Sequence, residues 1–143
     1  MAKAQFVMPE QFLSKISKLG EATDKIVPKV LAAGAELVEK NVRSNLSSVI
    51  GKNTKADSRS SGQLLSALGT TAARQDKDGN FNVKIGFAEN RTDGKSNAMI
   101  AGVLEYGKHG QPPKPFMKTA KTKSKDACIR VMEKKLEEEI KKL

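Results

Sequence analysis

The sequence has one cysteine, one histidine, one tyrosine and no tryptophan among its 143 residues. A lone Cys128 excludes an intrachain disulfide and fits a reducing compartment. One histidine and one cysteine, well apart, do not make a zinc site within one chain. No nucleophile, base and orienting group stand in a recognisable arrangement, so catalysis is not expected. His109 reads as a solvated loop residue and Cys128 as an inert packing residue on a helix stripe. "GKHGQPPK" lacks the spacing of a phosphate-binding loop, and no cofactor site is expected. No window approaches the roughly 18 apolar residues of a membrane span. The start "MAKAQFVMPEQF" has no signal-peptide layout, so the chain is expected to be soluble and intracellular when made.

Acid is also scarce. The net charge is +10, and half of it falls in residues 97–143. Lys108, Lys114, Lys118, Lys121, Lys123 and Lys125 form a run with no acid between them. Such a run attracts polyanions or an acidic partner face. Most of the cations are lysines and aromatics make up only 4%. Sequence-specific base reading, which uses arginine and stacking rings, is therefore not expected. Apolar residues make up 38%, mostly aliphatic, a thin core that leans on neighbouring subunits for stability.

What is present is periodic. Phe12, Ile16 and Leu19 recur at helical spacing, and Gly20 can end that short helix. Leu31, Ala35, Val38, Val42, Leu46 and Val49 form one stripe of a long helix, with a start near Pro28 and a stop at Gly51. Residues 51–62, "GKNTKADSRSSG", are polar, basic and small, and read as a mobile loop. A strand from about Leu68 to Gln75 and a second with Phe81, Val83, Ile85 and Phe87 on one face flank an Asp78-Gly79 turn. "NAMIAGVLEYG" predicts a short helix capped by Asn97, with Ile100, Val103 and Leu104 inward and Gly107 at its end. After the proline-rich connector a last helix starts at Pro115, with Cys128, Met132, Leu136, Ile140 and Leu143 as its stripe. Glu137–Lys141 and Glu138–Lys142 are spaced as favourable pairs four apart. The fold class is α+β, expected as a single domain over residues 1–143.

The order of motifs resembles the tail-component (morphogenesis) family of long-tailed bacteriophages and prophages over about residues 27–143. Ser61, Gly62, Gln63 and Leu64 stand at its Thr-Gly-Xaa-Leu step. Glu105, Tyr106, Gly107 and Lys108 stand at its Glu-aromatic-Gly-Thr helix end. Pro115, Phe116, Met117, Lys118, Thr119 and Ala120 stand at its Pro-aromatic-hydrophobic-basic-Pro-Ala segment. Lys108 replaces the threonine and Thr119 the second proline. The resemblance implies a tail-terminator-like architecture and a non-enzymatic virion protein that completes or joins the tail at the neck. It also implies a homo-oligomeric ring and head-closure, tail-terminator and tail-tube proteins as partners.

Under that reading Glu105, Tyr106, Gly107, Pro115 and Phe116 are structural or interface residues of a docking connector. Phe116 is expected to bury against the hairpin face, and Glu105 and Tyr106 to be structural at the helix end. Lys52, Lys55, Arg59, Lys114, Lys118, Lys121 and Lys123 are candidate contacts to packaged DNA or acidic partners. Charge alone leaves a second possibility, a small DNA-binding protein without sequence preference.

Overall fold

The computed structural model describes residues 8–50, 62–89 and 94–143. Lys52, Lys55, Arg59 and all but the last residue of the 51–62 segment lie outside them. The architecture is α+β. Helix α1 (Glu10–Ser17) and a 3₁₀ turn (Gly20–Ala22) lead into the long α2 (Thr23–Val49). A short α3 (Gln63–Ala67) precedes four short strands: β1 (Leu68–Thr70), β2 (Arg74–Gln75), β3 (Phe81–Asn82) and β4 (Ile85–Phe87). Helix α4 (Asn97–Tyr106), the connector and α5 (Met117–Lys141) complete the chain.

Helix α2 runs through the point where a helix start was expected. Pro28 sits inside it. Its ring removes one bond, to the carbonyl of Asp24, and Asp24 is exposed in the first turn, where water replaces the lost donor. The buried face of α2 is Ile26, Val27, Val30, Gly34, Ala35, Val38, Val42 and Leu46. Leu31 and Val49 are only half-buried, so the expected stripe holds from Ala35 to Leu46 and turns to Val30 and Gly34 before it.

That turn has a cause across the interface. A Cβ on Gly34 would stand 2.6 Å from Met132 Cγ and 3.1 Å from Cys128 Sγ. The missing side chain lets α2 and α5 approach closely, and the Cys128 thiol reaches the Gly34 carbonyl at 3.5 Å. Burial pushes that thiol up to about 11, so it stays protonated and inert at neutral pH. Further along, Asn41 Nδ2 donates to Ser124 Oγ at 2.6 Å, and Ser124 is fully buried.

The buried face of α5 is Met117, Ala120, Ser124, Cys128, Met132, Leu136 and Glu139. Ile140 and Leu143, expected inward, are exposed. Repeated steps of four drift around a 3.6-residue helix, and the last step must shorten to three to stay on the core side, which selects Glu139. Glu139 sits among Lys29, Lys135 and Lys142 at 3.4–3.5 Å. Burial works toward protonating it, but Lys142, Lys29 and Lys135 outweigh that and hold its carboxyl below the usual value. The two pairs expected on this helix are replaced: Glu137 meets Lys15 of α1 at 3.3 Å, and Lys142 meets Glu139.

The hairpin is interrupted. β1 pairs with β4 in the register Leu68↔Phe87 to Thr70↔Ile85, and β2 with β3 as Arg74↔Asn82 and Gln75↔Phe81. Residues 71–73 thus lie opposite residues 83–84, a bulge of one residue. Thr71 holds it, donating its N–H to Lys84 O at 2.8 Å while its hydroxyl accepts Lys84 N–H at 2.9 Å. The Asp78-Gly79 turn is present, with the Asp76 carboxylate accepting the amides of Asp78 and Asn80 at 2.9 Å. Ile85 and Phe87 pack on the core cluster, whereas Phe81 and Val83 beyond the bulge are outside it.

Gly34→Leu is expected to lower stability by about 1–3 kcal/mol through overpacking, despite leucine's better helix propensity. Ala32→Leu on the exposed side of α2 should cost nothing comparable in the same urea titration. Folding lowers the Glu139 pKa, so its contribution is complete above the unfolded value and is lost as pH falls through the folded one. Glu139→Gln should therefore flatten the acid limb of a stability–pH curve below pH 4.5, the ordinary carboxyl value, and Glu138→Gln should not.

Candidate interaction site at the α4–α5 connector

Helix α4 starts on a composite cap. Ser96, not Asn97, is the N-cap, its Oγ accepting Met99 N–H at 3.2 Å. The Glu89 carboxylate accepts the amides of Asn97 at 2.9 Å and Ala98 at 2.8 Å. Asn97 is fully buried instead, its Nδ2 donating to Ala88 O at 2.6 Å. This ties the helix to the residue after β4. Ile100 and Leu104 face the core with the buried Ala101, while Val103 is half-buried and outside that cluster.

Glu105 is the turning point of the chain. It is buried, and its carboxylate accepts three backbone N–H groups: Phe116 at 2.9 Å, Met117 at 2.8 Å and Lys118 at 2.9 Å. These amides open α5 and have no partner within the helix. The helix has no side-chain cap at Phe116, its own N-cap residue, so a carboxylate eleven residues upstream does that work. The positive end of the helix dipole and three charge-assisted bonds offset the cost of burying the acid.

The connector is folded to let this happen. Gly107 ends α4 at φ +78°, and a Cβ there would lie 2.8 Å from Pro113 N and 2.9 Å from Gln111 O. Lys108 and Gln111 exchange backbone bonds of 3.0 and 2.9 Å around a tight His109-Gly110 turn. Lys114 N–H then returns to Leu104 O at 2.6 Å. Pro115 precedes the cap, and α5 begins two residues later than expected, at Met117. The Glu105 bonds fix Phe116 as the N-cap. Phe116 is fully buried, edge-on to Phe87 at 6.1 Å, and its carbonyl accepts from Asn45 Nδ2 at 3.2 Å.

The expected site residues therefore separate by role. Glu105, Gly107 and Phe116 meet in one lock, whereas Tyr106 points outward and is 66% exposed. Lys118, Lys121 and Lys123 do not form one face: at about 100° per residue, Lys118, Lys121 and Lys125 share one flank of α5 and Lys123 lies on the other. His109 is exposed in its turn. A shallow depression lined by Tyr106, Lys108, Gln111, Pro112 and Pro113 opens beside the connector, with no acid or thiol in its wall.

Sequence reasoning missed Arg43, whose guanidinium donates to Leu65 O at 3.2 Å and Leu68 O at 3.1 Å and pairs with Glu39 at 3.3 Å, fastening α3 and β1 to α2. It also missed Glu89 and Asn45. An arginine on an otherwise small and apolar flank of α2 was the available signal for the first, and the other two left none.

Glu105→Ala removes the acceptor of three amides and is expected to cost about 2–4 kcal/mol in a denaturant titration. Glu105→Gln, which keeps the shape but turns donors toward donors, should recover less than half of that loss. Tyr106→Ala should stay within about 0.5 kcal/mol of the parent.

Comparison with known families matches residues 10–107 to the model described as "Bacteriophage HK97-gp10, putative tail-component". The match begins upstream of the resemblance seen in the sequence and stops at Gly107, before Phe116 and α5. No curated protein and no solved structure matches the chain. Among the described residues no helix is long and apolar enough to cross a membrane. The match takes in more than half of the sequence, from α1 to the glycine that ends α4, and the chain belongs to the HK97-gp10-like family of bacteriophage tail components.

Proposed function

We propose that the protein completes or joins the tail at the head–tail interface, as a neck or tail-completion component, by closing into a homo-oligomeric ring. It works without enzymatic chemistry. Its neighbours are head-closure, tail-terminator and tail-tube proteins, and its place is the virion, after synthesis in the bacterial host cytoplasm.

The observation that carries this reading is apolar surface left outside a small core. Leu13, Met99, Tyr106, Ile140 and Leu143 are exposed, on α1, α4 and α5. Exposed apolar groups on a chain with few of them to spare favour subunit contacts. The connector supports the same reading. Its one buried acid is spent on helix amides, and its depression holds no convergent catalytic groups. Under this reading Lys52, Lys55, Arg59, Lys114, Lys118, Lys121 and Lys123 face acidic partner surfaces or the DNA passing through the ring.

Particles assembled without this chain are the test. Electron microscopy should then show filled heads beside separate or unfinished tails. Normally tailed, infectious particles from the same deletion contradict the reading.

A further inference from the structure

Helix α4 is apolar on every side from Ala98 to Leu104. A helix of that kind is expected to be covered all round. Its inner face is, by the core and by Glu105. Its outer face is not: Met99 is 70% and Tyr106 66% exposed, seven residues apart and so on one side, with the half-buried Val103 between. Gly102 belongs to that side too. A Cβ built on it meets nothing within 4 Å. This glycine is not needed by the packing of its own chain, although glycine inside a helix is less stable than alanine by about 1 kcal/mol. It leaves a notch between two large exposed side chains.

The complementary surface lies at the other end of the molecule. Glu105 places the end of α4 at the start of α5, and α5 is about 37 Å long at 1.5 Å per residue. At its far end Ile140 is 37% and Leu143 75% exposed. The Lys15–Glu137 pair brings α1 to the same end. Charge is divided the same way. Residues 108–125 hold six lysines and no acid, while residues 126–143 are neutral overall. Among the described residues Glu133 and Glu138 have no ion pair at the far end, and neither do Lys108, Lys118 and Lys125 at the near end. The negative end of the α5 dipole adds to the contrast.

We infer that the outer face of α4, with its notch at Gly102, is the socket for the Ile140–Leu143 turn of α5 from a second copy of this chain. The two surfaces are different and lie at opposite ends, so the contact is heterologous: each copy gives one end and receives the other. Such contacts build rings when the rotation closes. The near-end lysines then face Glu133 and Glu138 of the neighbour. This deepens the ring reading and rests on it.

The test mixes two variant chains, Met99→Cys and Leu143→Cys, under mild oxidation, with buried Cys128 as the unreactive background. Light scattering on the same samples reports assembly. The expected result is an oligomer in which the mixed disulfide between the two variants exceeds either like pair at least tenfold. Gly102→Phe should abolish that cross-link while leaving the melting temperature unchanged. An oligomer with no preference for the mixed pair overturns the socket and leaves the ring standing. In that case a thiol in the Met99→Cys chain still open to maleimide assigns α4 to a different tail protein. A chain that stays monomeric at every concentration, with no cross-link, overturns both.

Discussion

A single carboxylate holds the second half of this molecule in place. Three amides at the start of α5 point at Glu105, and each would otherwise be an unpartnered donor beside a fully buried phenylalanine. Because Glu105 belongs to α4, the bonds fix where one helix ends and where the next begins. The connector follows from this. Gly107 must turn with positive φ and carry no side chain, the His109-Gly110 turn must double back, and the prolines restrict what remains. The two ends of the connector are thereby set before α5 docks on α2.

The same device appears at α4, where Glu89 caps the helix from outside it. Two helices started by glutamates from elsewhere form a frame tied by polar bonds at its corners. Between the corners, α2 and α5 approach through Gly34, Ala120 and Ser124 rather than through large side chains. Close packing of small residues gives a rigid pair at little apolar expense. That leaves Met99, Tyr106 and Leu143 outside, and a frame of this kind suits a part whose task is to hold its shape against neighbours in a virion.

Much of this was legible in the sequence. The helices of α2 and α5 follow from stripes that repeat over many turns, and the hairpin from alternation around Asp78-Gly79. Glu105, Gly107 and Phe116 stood out as a motif, although their meeting at one point is a matter of folding back and has no local signature. The misses are of the same nature. Asn97 and Ser96 are both good caps by type, and Glu89, seven residues before Ser96, decides between them. The one-residue bulge breaks a strand face that alternation alone extends to Phe81. Ile140 and Leu143 continue a step of four that the helix itself cannot keep on one side. Proline at residue 28 marks a helix start only where the lost bond matters, and near an exposed first turn it does not.

Hydrogen exchange at the start of α5 tests the lock most directly. First-turn amides of an ordinary helix exchange nearly as fast as exposed ones, since nothing in the helix accepts them. With Glu105 as their acceptor, the amides of Phe116, Met117 and Lys118 should be protected to the level of Cys128 and Met132 in the middle of the same helix. Exchange of those three at the rate of the frayed turn near Lys141, while the middle of α5 stays protected, would show that the carboxylate does not hold the helix and that the connector is set by something else.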